Sequence, residues 1–366
     1  MDKNRIIYAA LSGVASLAFT LAPVMAASAS NDTTGSDSDN DATVNLDNDT
    51  TINQTNNLTV HNNIDVDSDT GDNDANDNTG DGSVTTGDAN AGVSVSTSGN
   101  SNSLDVDNNG GGDFSASNDT TGSDSDNDAT VTADNELDVD QVNNARVNND
   151  VDVDADTGDN DANDNTGDGS VDTGDADVEV SIETDVNENE LEVDGTGGGD
   201  PSASNDTTGS DSDNDATVNL DNDVDIDQTN NLCVENDVDV EADTGDNDAN
   251  DNTGDGSVDT GDAEVDVEVG TSGNSNDANV DAGGSDDFEA SNENTGSDSD
   301  NDATVTADNE VDIDQENNSK VDNDGDIDAD TGNNDANDNT GDGDTESGDA
   351  DVEVEVSTEV NSNNLD

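Results

Sequence analysis

The sequence predicts an all-β chain of four tandem repeats wound as a β-solenoid, and three observations carry that expectation. The stretch Thr70–Gly82 (TGDNDANDNTGDG) recurs unchanged at Thr157–Gly169 and Thr244–Gly256, and at Thr331–Gly343 with Asn333 in place of Asp72. A second marker, TGSDSDNDAT, begins at Thr34, Thr121, Thr208 and Thr295, so equivalent positions lie 87 residues apart. Between the markers, β-branched residues alternate with polar ones, as in Val178-Glu179-Val180-Ser181-Ile182. Period two is the pattern of a strand with one face buried. No helical period follows the first segment.

In chain order, Met1–Ala29 reads as a secretory signal peptide. Lys3 and Arg5 supply the positive start, Ile6–Leu21 the apolar core, and Ala27-Ser28-Ala29 a small-residue cleavage site. The repeats follow as units 31–117, 118–204, 205–291 and 292–366. The first three end in Gly-rich connectors such as Gly110–Ser117, and the fourth lacks that connector. Within the first unit, strands are expected near 43–47, 50–54, 58–61, 64–68, 83–86, 89–97 and 103–107. Gly, Asn and Asp mark the breaks between them. Apolar columns keep their register through all copies: Val44, Val131, Val218 and Val305; Ile52, Val139, Ile226 and Ile313; Val66, Val153, Val240 and Ile327.

Amide columns separate the candidate architectures. Asn40, Asn127, Asn214 and Asn301 form one column; Asn57, Asn144, Asn231 and Asn318 another; Gln54, Gln141, Gln228 and Gln315 a third. Stacked amides hydrogen-bond along a ladder, which favours a solenoid. The alternative is a string of β-sandwich modules, since seven short strands per unit approach an immunoglobulin-like plan. No shorter period divides the unit cleanly into smaller turns.

Composition sets the other bounds. Formal net charge is -93, hydrophobic residues make up 26% and aromatics 1%. Such a balance on its own predicts disorder without cations. Asp outnumbers Glu 79 to 18, and Asp is the acid of turns and oxygen cages around hard cations. The charge opposes nucleic acid and anionic membranes as partners. Cations, basic proteins, mineral and cell-surface ligands suit it, and the repeats leave self-assembly open. No membrane span is expected in the chain after the leader.

Two acid clusters per unit have the chemistry of a Ca²⁺ site. The first comprises Asp37, Asp39 and Asp41, repeated at Asp124, Asp126 and Asp128, at Asp211, Asp213 and Asp215, and at Asp298, Asp300 and Asp302. Acids at alternate positions resemble the opening of an EF-hand loop and the runs of thrombospondin type 3 repeats. Ala42 and Asn48 stand where an EF-hand needs Gly and Glu, so an EF-hand is excluded. The second cluster comprises Asp72, Asp74, Asp77 and Asp81. It returns as Asp159, Asp161, Asp164 and Asp168, as Asp246, Asp248, Asp251 and Asp255, and as Asp335, Asp338 and Asp342. Its mixture of Asp and Gly is similar to the calcium-binding nonapeptides of RTX β-rolls, without their doubled Gly or period of nine. The competing reading is a solvated turn held by Asx hydrogen bonds. Ile52, Gln54, Asn57 and Val60 more distantly resemble curlin repeats, which implies fibre formation.

No nucleophile–base pair, His/Cys metal set or phosphate loop is present, and an enzyme is not expected. His61 shares a column with Asn148, Glu235 and Asp322; Cys233 shares one with Thr59, Arg146 and Lys320. The expected function is a secreted or cell-surface structural protein of the adhesin type, a rod stabilised by Ca²⁺ at Asp-rich turns. The alternatives are a disordered polyanion that buffers calcium or binds mineral, and an acidic surface protein adapted to high salt.

Overall fold

The computed structural model describes residues 5–16, 27–107, 113–194, 200–281 and 287–366. Among them every regular element is a strand, and every strand pairing is parallel. Parallel register rules out the immunoglobulin-like alternative, whose sheets are antiparallel.

One repeat forms one coil of a solenoid. Each residue pairs with its equivalent in the next coil, as in Val131 with Val44 and Val218 with Val131. A coil runs out along a long strand: Asp39–Asp69, Asp126–Asp156, Asp213–Asp243 or Asp300–Asp330. It turns through two short strands, such as Asn73–Asp74 and Gly82–Thr85, and returns along Ala89–Asp107, Ala176–Asp194, Ala263–Asp281 or Ala350–Leu365. A final short arm, Ala27–Asp32, Phe114–Asp119, Pro201–Asp206 or Glu289–Glu293, leads into each long strand. The connectors split here: their second halves are strands, and Phe114 lies in the core beside Val44 and Ala116. Residues 108–112, 195–199 and 282–286, which include the start of each connector, lie outside the described residues.

The two arms of a coil face each other. Asn56 Nδ2 donates across the layer to the Ser101 carbonyl at 2.7 Å, and Asn31 Nδ2 donates to the Asp41 carbonyl at 2.9 Å. A 31-residue strand extends at most about 100 Å at ~3.3 Å per residue, while four coils at ~4.8 Å stack only about 19 Å high. The molecule is therefore broad along its strands and shallow along its stack.

The strands expected at 43–47, 50–54, 58–61 and 64–68 are one continuous strand, and those at 89–97 and 103–107 are another. The polar residues read as breaks remain in the sheet because their amides bond to the next coil. Asn62 Nδ2 donates to Asn149 Oδ1 at 2.7 Å, and Asn144 Nδ2 to Asn57 Oδ1 at 3.0 Å. The return strand does bend once. The pairing skips Asn100 and Asn187 together without a change of register, and both have positive φ, 63° and 66°, a left-handed kink stacked on itself from coil to coil.

The interior is divided. One apolar cluster joins Val66, Val153 and Val240 to Val93, Val180 and Val267, another joins Ile52, Val139 and Ile226 to Leu104 and Leu191. Between them runs a seam of buried amides. Gln141, Asn143 and Asn189 are wholly inaccessible. Gln141 Nε2 donates to Gln54 Oε1, Gln228 Nε2 to Gln141 Oε1 and Gln315 Nε2 to Gln228 Oε1, each at 2.8 Å. Buried polar groups are tolerated when paired in this way.

The leader expected over Met1–Ala29 falls partly on residues 1–4 and 17–26, outside the described set. Its described part, Arg5–Ser16, is a strand paired in parallel on the first return strand, from Ala91 to Ser103. Ala27 and Ala29 belong to the first coil's short arm, paired with Phe114 and Ala116. Among the described residues no helix is long and apolar enough to cross a membrane.

Candidate functional site

The stack joins acids that lie 87 residues apart rather than gathering those within one turn. Asp39, Asp126, Asp213 and Asp300 pair as one column, and Asp41, Asp128, Asp215 and Asp302 as another. Both lie at the head of the long strands, with Asn40 and its equivalents pointing inward between them. The inward amides form a ladder, Asn40 to Asn127 at 2.7 Å and Asn127 to Asn214 at 2.8 Å.

Asp37, Asp124, Asp211 and Asp298 occupy the turn just before, all exposed and all with positive φ between 58° and 66°. Asp is among the few residues that accept this left-handed conformation. The same holds for Asp77, Asp164, Asp251 and Asp338, whose φ is 57°, 57°, 55° and 52°.

The repeated stretch is a second stacked turn, and two of its four acids each give an oxygen to the next coil. Asp72 Oδ1 accepts the Asp159 N–H at 3.1 Å, and Asp159 Oδ1 accepts the Asp246 N–H at 2.8 Å. Asp81, Asp168 and Asp255 repeat the arrangement, accepting the N–H of Asp168, Asp255 and Asp342 at 3.1, 2.9 and 2.8 Å. Asn165 Oδ1 accepts the Asn78 N–H at 2.9 Å, and Asn252 Oδ1 the Asn165 N–H at 2.9 Å. Asp74, Asp161, Asp248 and Asp335 lie in the two-residue strands. The turn also has a core, since Ala162 and Ala249 are fully buried against Val171 and Val258. Gly158 is confined by the stack: its φ is +77°, and a Cβ there would lie 2.7 Å from the backbone of Gly71.

Like charges one coil apart disfavour ionisation. Loss of water raises the Asp128 and Asp215 carboxyls above the ordinary carboxylate value, and the acids of the neighbouring coils add to it. Asp161 and Asp248 are raised for the same first reason, with Asn163 and Asn250 respectively donating hydrogen bonds that oppose the shift. The largest effects fall on acids the sequence reading passed over, at the far end of the long strands. Loss of water, then Glu241, Asp67, Asp152 and Asp243, pushes Asp154 up to about 6. Asp156 is also pushed to about 6 by loss of water, against the Gly158 N–H that lowers it, with Asp243, Asp69 and Asp154 adding. The signal for these in the sequence is the column of acids in every unit at Asp67, Asp154, Glu241 and Asp328.

Among the described residues, no three His, Cys, Asp or Glu side chains converge as a metal cage. A cation would instead lie between acids of adjacent coils, at the ~4.8 Å strand spacing. Asn amides, carbonyls and water would complete the six to eight oxygens calcium takes. One open groove of about 640 Å³ crosses the coils beside Asn57, Asn144, Asn231 and Asn318. It contains Arg146, Cys233 and Lys320; Arg146 pairs with Glu235 at 3.7 Å and Lys320 with Asp322 at 3.3 Å.

No family model matches this chain, and neither a curated protein nor a solved structure does.

Proposed function

We propose that the chain is a secreted or cell-surface structural protein of the adhesin or matrix type, a β-solenoid whose stacked acid columns take up calcium. The observation that supports this reading is the in-register stacking of acids on the outside of every coil. After the leader, Arg146 and Lys320 are the basic residues set against them. A fold that repeats its own charge at each coil needs counter-ions, and calcium bridges carboxylates of adjacent coils more tightly than monovalent salt screens them. A ligand bound to the folded form alone adds about 2.7 kcal/mol per site at a hundredfold excess over Kd.

Circular dichroism of the full chain tests the proposal. Chelation should give a random-coil spectrum, and calcium at millimolar or lower concentration should restore β signal. Replacing Asp72, Asp74, Asp77 and Asp81 by Asn keeps the turn's acceptor oxygens and removes charge. That variant should lose part of the calcium response. Full recovery in molar NaCl, with no further change on adding calcium, would remove the calcium sites and leave a salt-adapted surface protein. Absence of structure in every ionic condition would leave the disordered polyanion.

A further inference from the structure

We propose that the uncovered end of the fourth coil is a docking surface for the first coil of a second copy of this chain, so that copies stack head to tail in the register of the internal coils. The proposal rests on the fold and is independent of calcium.

All the large apolar side chains exposed among the described residues lie on that coil: Val305, Val311, Val352, Val354, Val356 and Leu365. Their equivalents one coil down are buried. Val356 is 53% exposed, against 4% for Val269 and 1% for Ile182. What covers Val269 and Ile182 is the next coil in register. The long strand Asp300–Asp330 and the return strand Ala350–Leu365 both end their sheets, with one edge unpaired. An edge of that length and apolar pattern is a template for another strand.

The pattern selects a copy of this chain as the occupant. The amide ladders have direction, so the two ends are complementary halves. Each Gln in the interior accepts from the Gln of the coil above and donates to the one below. The ladder stops at Gln315, whose Oε1 has no further amide to accept from, and starts at Gln54, whose Nε2 keeps the cross-layer bond every coil makes, to the Ser103 carbonyl at 3.4 Å, and has no amide oxygen below it. A first coil placed on the fourth would set Gln54 over Gln315, Val44 over Val305, Val93 over Val354 and Leu104 over Leu365. Such a head-to-tail contact does not close on itself and yields a filament.

Two features weaken the contact. Ser319, Gly325 and Thr345 stand where the third coil has Leu232, Val238 and Val258. Arg5–Ser16 holds the edge of the first return strand, so a copy stacks fully only when that strand is displaced or cut away. The stack is therefore weaker than the internal ones and concentration-dependent.

Cross-linking tests the register. In the full chain carrying Cys233→Ser, Thr59→Cys and Lys320→Cys place exposed thiols that meet across the proposed junction. A protease site inserted after Ala29 lets the leader be cut from the folded protein, whether or not cells remove it. Oxidation in molar NaCl with millimolar calcium, which screens the acid columns and keeps the coils folded on either reading, should give covalent multiples of the cut chain, at least tenfold more than multiples of the uncut one. With Asn57→Cys in place of Thr59→Cys, the thiols sit two residues out of register, beyond disulfide reach, and the ladder should be lost. Val354→Lys with Val356→Lys should abolish it while leaving the β spectrum intact. Cut protein that stays monomeric, or equal ladders from the Thr59→Cys and Asn57→Cys pairings, would overturn the proposal.

Discussion

Replacing Gln141 by Leu should loosen the middle of the stack about twice as strongly as the same change at Gln315 loosens its end. Gln141 is wholly buried and keeps three partners: it donates to Gln54 Oε1 and to the Glu190 carbonyl at 3.2 Å, and accepts from Gln228 Nε2. Leu matches the volume but strands an acceptor on Gln54 and a donor on Gln228. At about 1–3 kcal/mol for each buried orphan, the loss is about 2–6 kcal/mol. Gln315 is half exposed and donates to Oε1 of the buried Gln228 and to the exposed Asn364 carbonyl, so Leu there strands one buried acceptor and leaves the other to water. Its loss should cost about 1–3 kcal/mol, half that at Gln141. Because coils melt with their neighbours rather than as one block, the assay is amide hydrogen exchange read coil by coil, beside a thermal melt by circular dichroism. Protection around Gln141 should fall in the first variant and persist in the second. Equal effects would show that the buried ladder does not hold the coils together.

Two further changes probe the inside and outside of the sheet. Val180→Asp would place an unpaired charge in the largest apolar cluster and should cost several kcal/mol. Glu179→Lys, on the outer column beside Asp266, should be neutral or stabilising; equal losses in denaturant melts would contradict the inward–outward alternation. Acidification should stabilise the protein in chelator, because Asp154 and Asp156 are raised from an ordinary 3.8 to about 6 in the fold. Their contribution is full below 3.8 and is lost as pH rises through about 6, so the β signal lost in chelator at neutral pH should return towards pH 4; no return over that range would refute the like-charge columns.

Much of this architecture was legible because the chain repeats. The columns at Val44, Ile52 and Val66 were visible as alternation, and those at Asn40 and Gln54 as amides held through four copies. They all stack as the pattern implied. The coil length was not visible, because a solenoid turn is usually sought as a short period inside a repeat, and here the repeat itself is the turn. The breaks at Asn57 and Asn62 misled for a related reason. A single Asn favours a turn, yet an Asn above an Asn satisfies its amide within the sheet. The acids of the invariant stretch were read for their charge, whereas Asp72 and Asp81 supply a fixed acceptor to the coil above. The residues with the most perturbed carboxyls, Asp154 and Asp156, carry no motif and emerge only when three acid columns are seen side by side.

The one departure in the invariant stretch bears on what those acids do. Asp72, Asp159 and Asp246 each offer Oδ1 to the backbone of the next coil, and the fourth residue of the column is Asn333. Its N–H donates to Asp246 Oδ1 at 2.6 Å, and its own Nδ2 donates to the same oxygen at 3.1 Å. An amide there keeps an acceptor oxygen, adds a donor to the acid below, and removes one charge from a column of like charges. The column that begins at Asp81 keeps acid to the last coil, where the Asp342 N–H donates to Asp255 Oδ1 with no side-chain amide beside it. Hydrogen bonding between coils thus accounts for an oxygen at both columns, and does not account for the charge. Asn would serve at Asp72, Asp159, Asp81 and Asp168 as it serves at Asn333, with less repulsion. The charge retained at those positions is the part of the sequence that the hydrogen bonds do not explain and that the proposed calcium would.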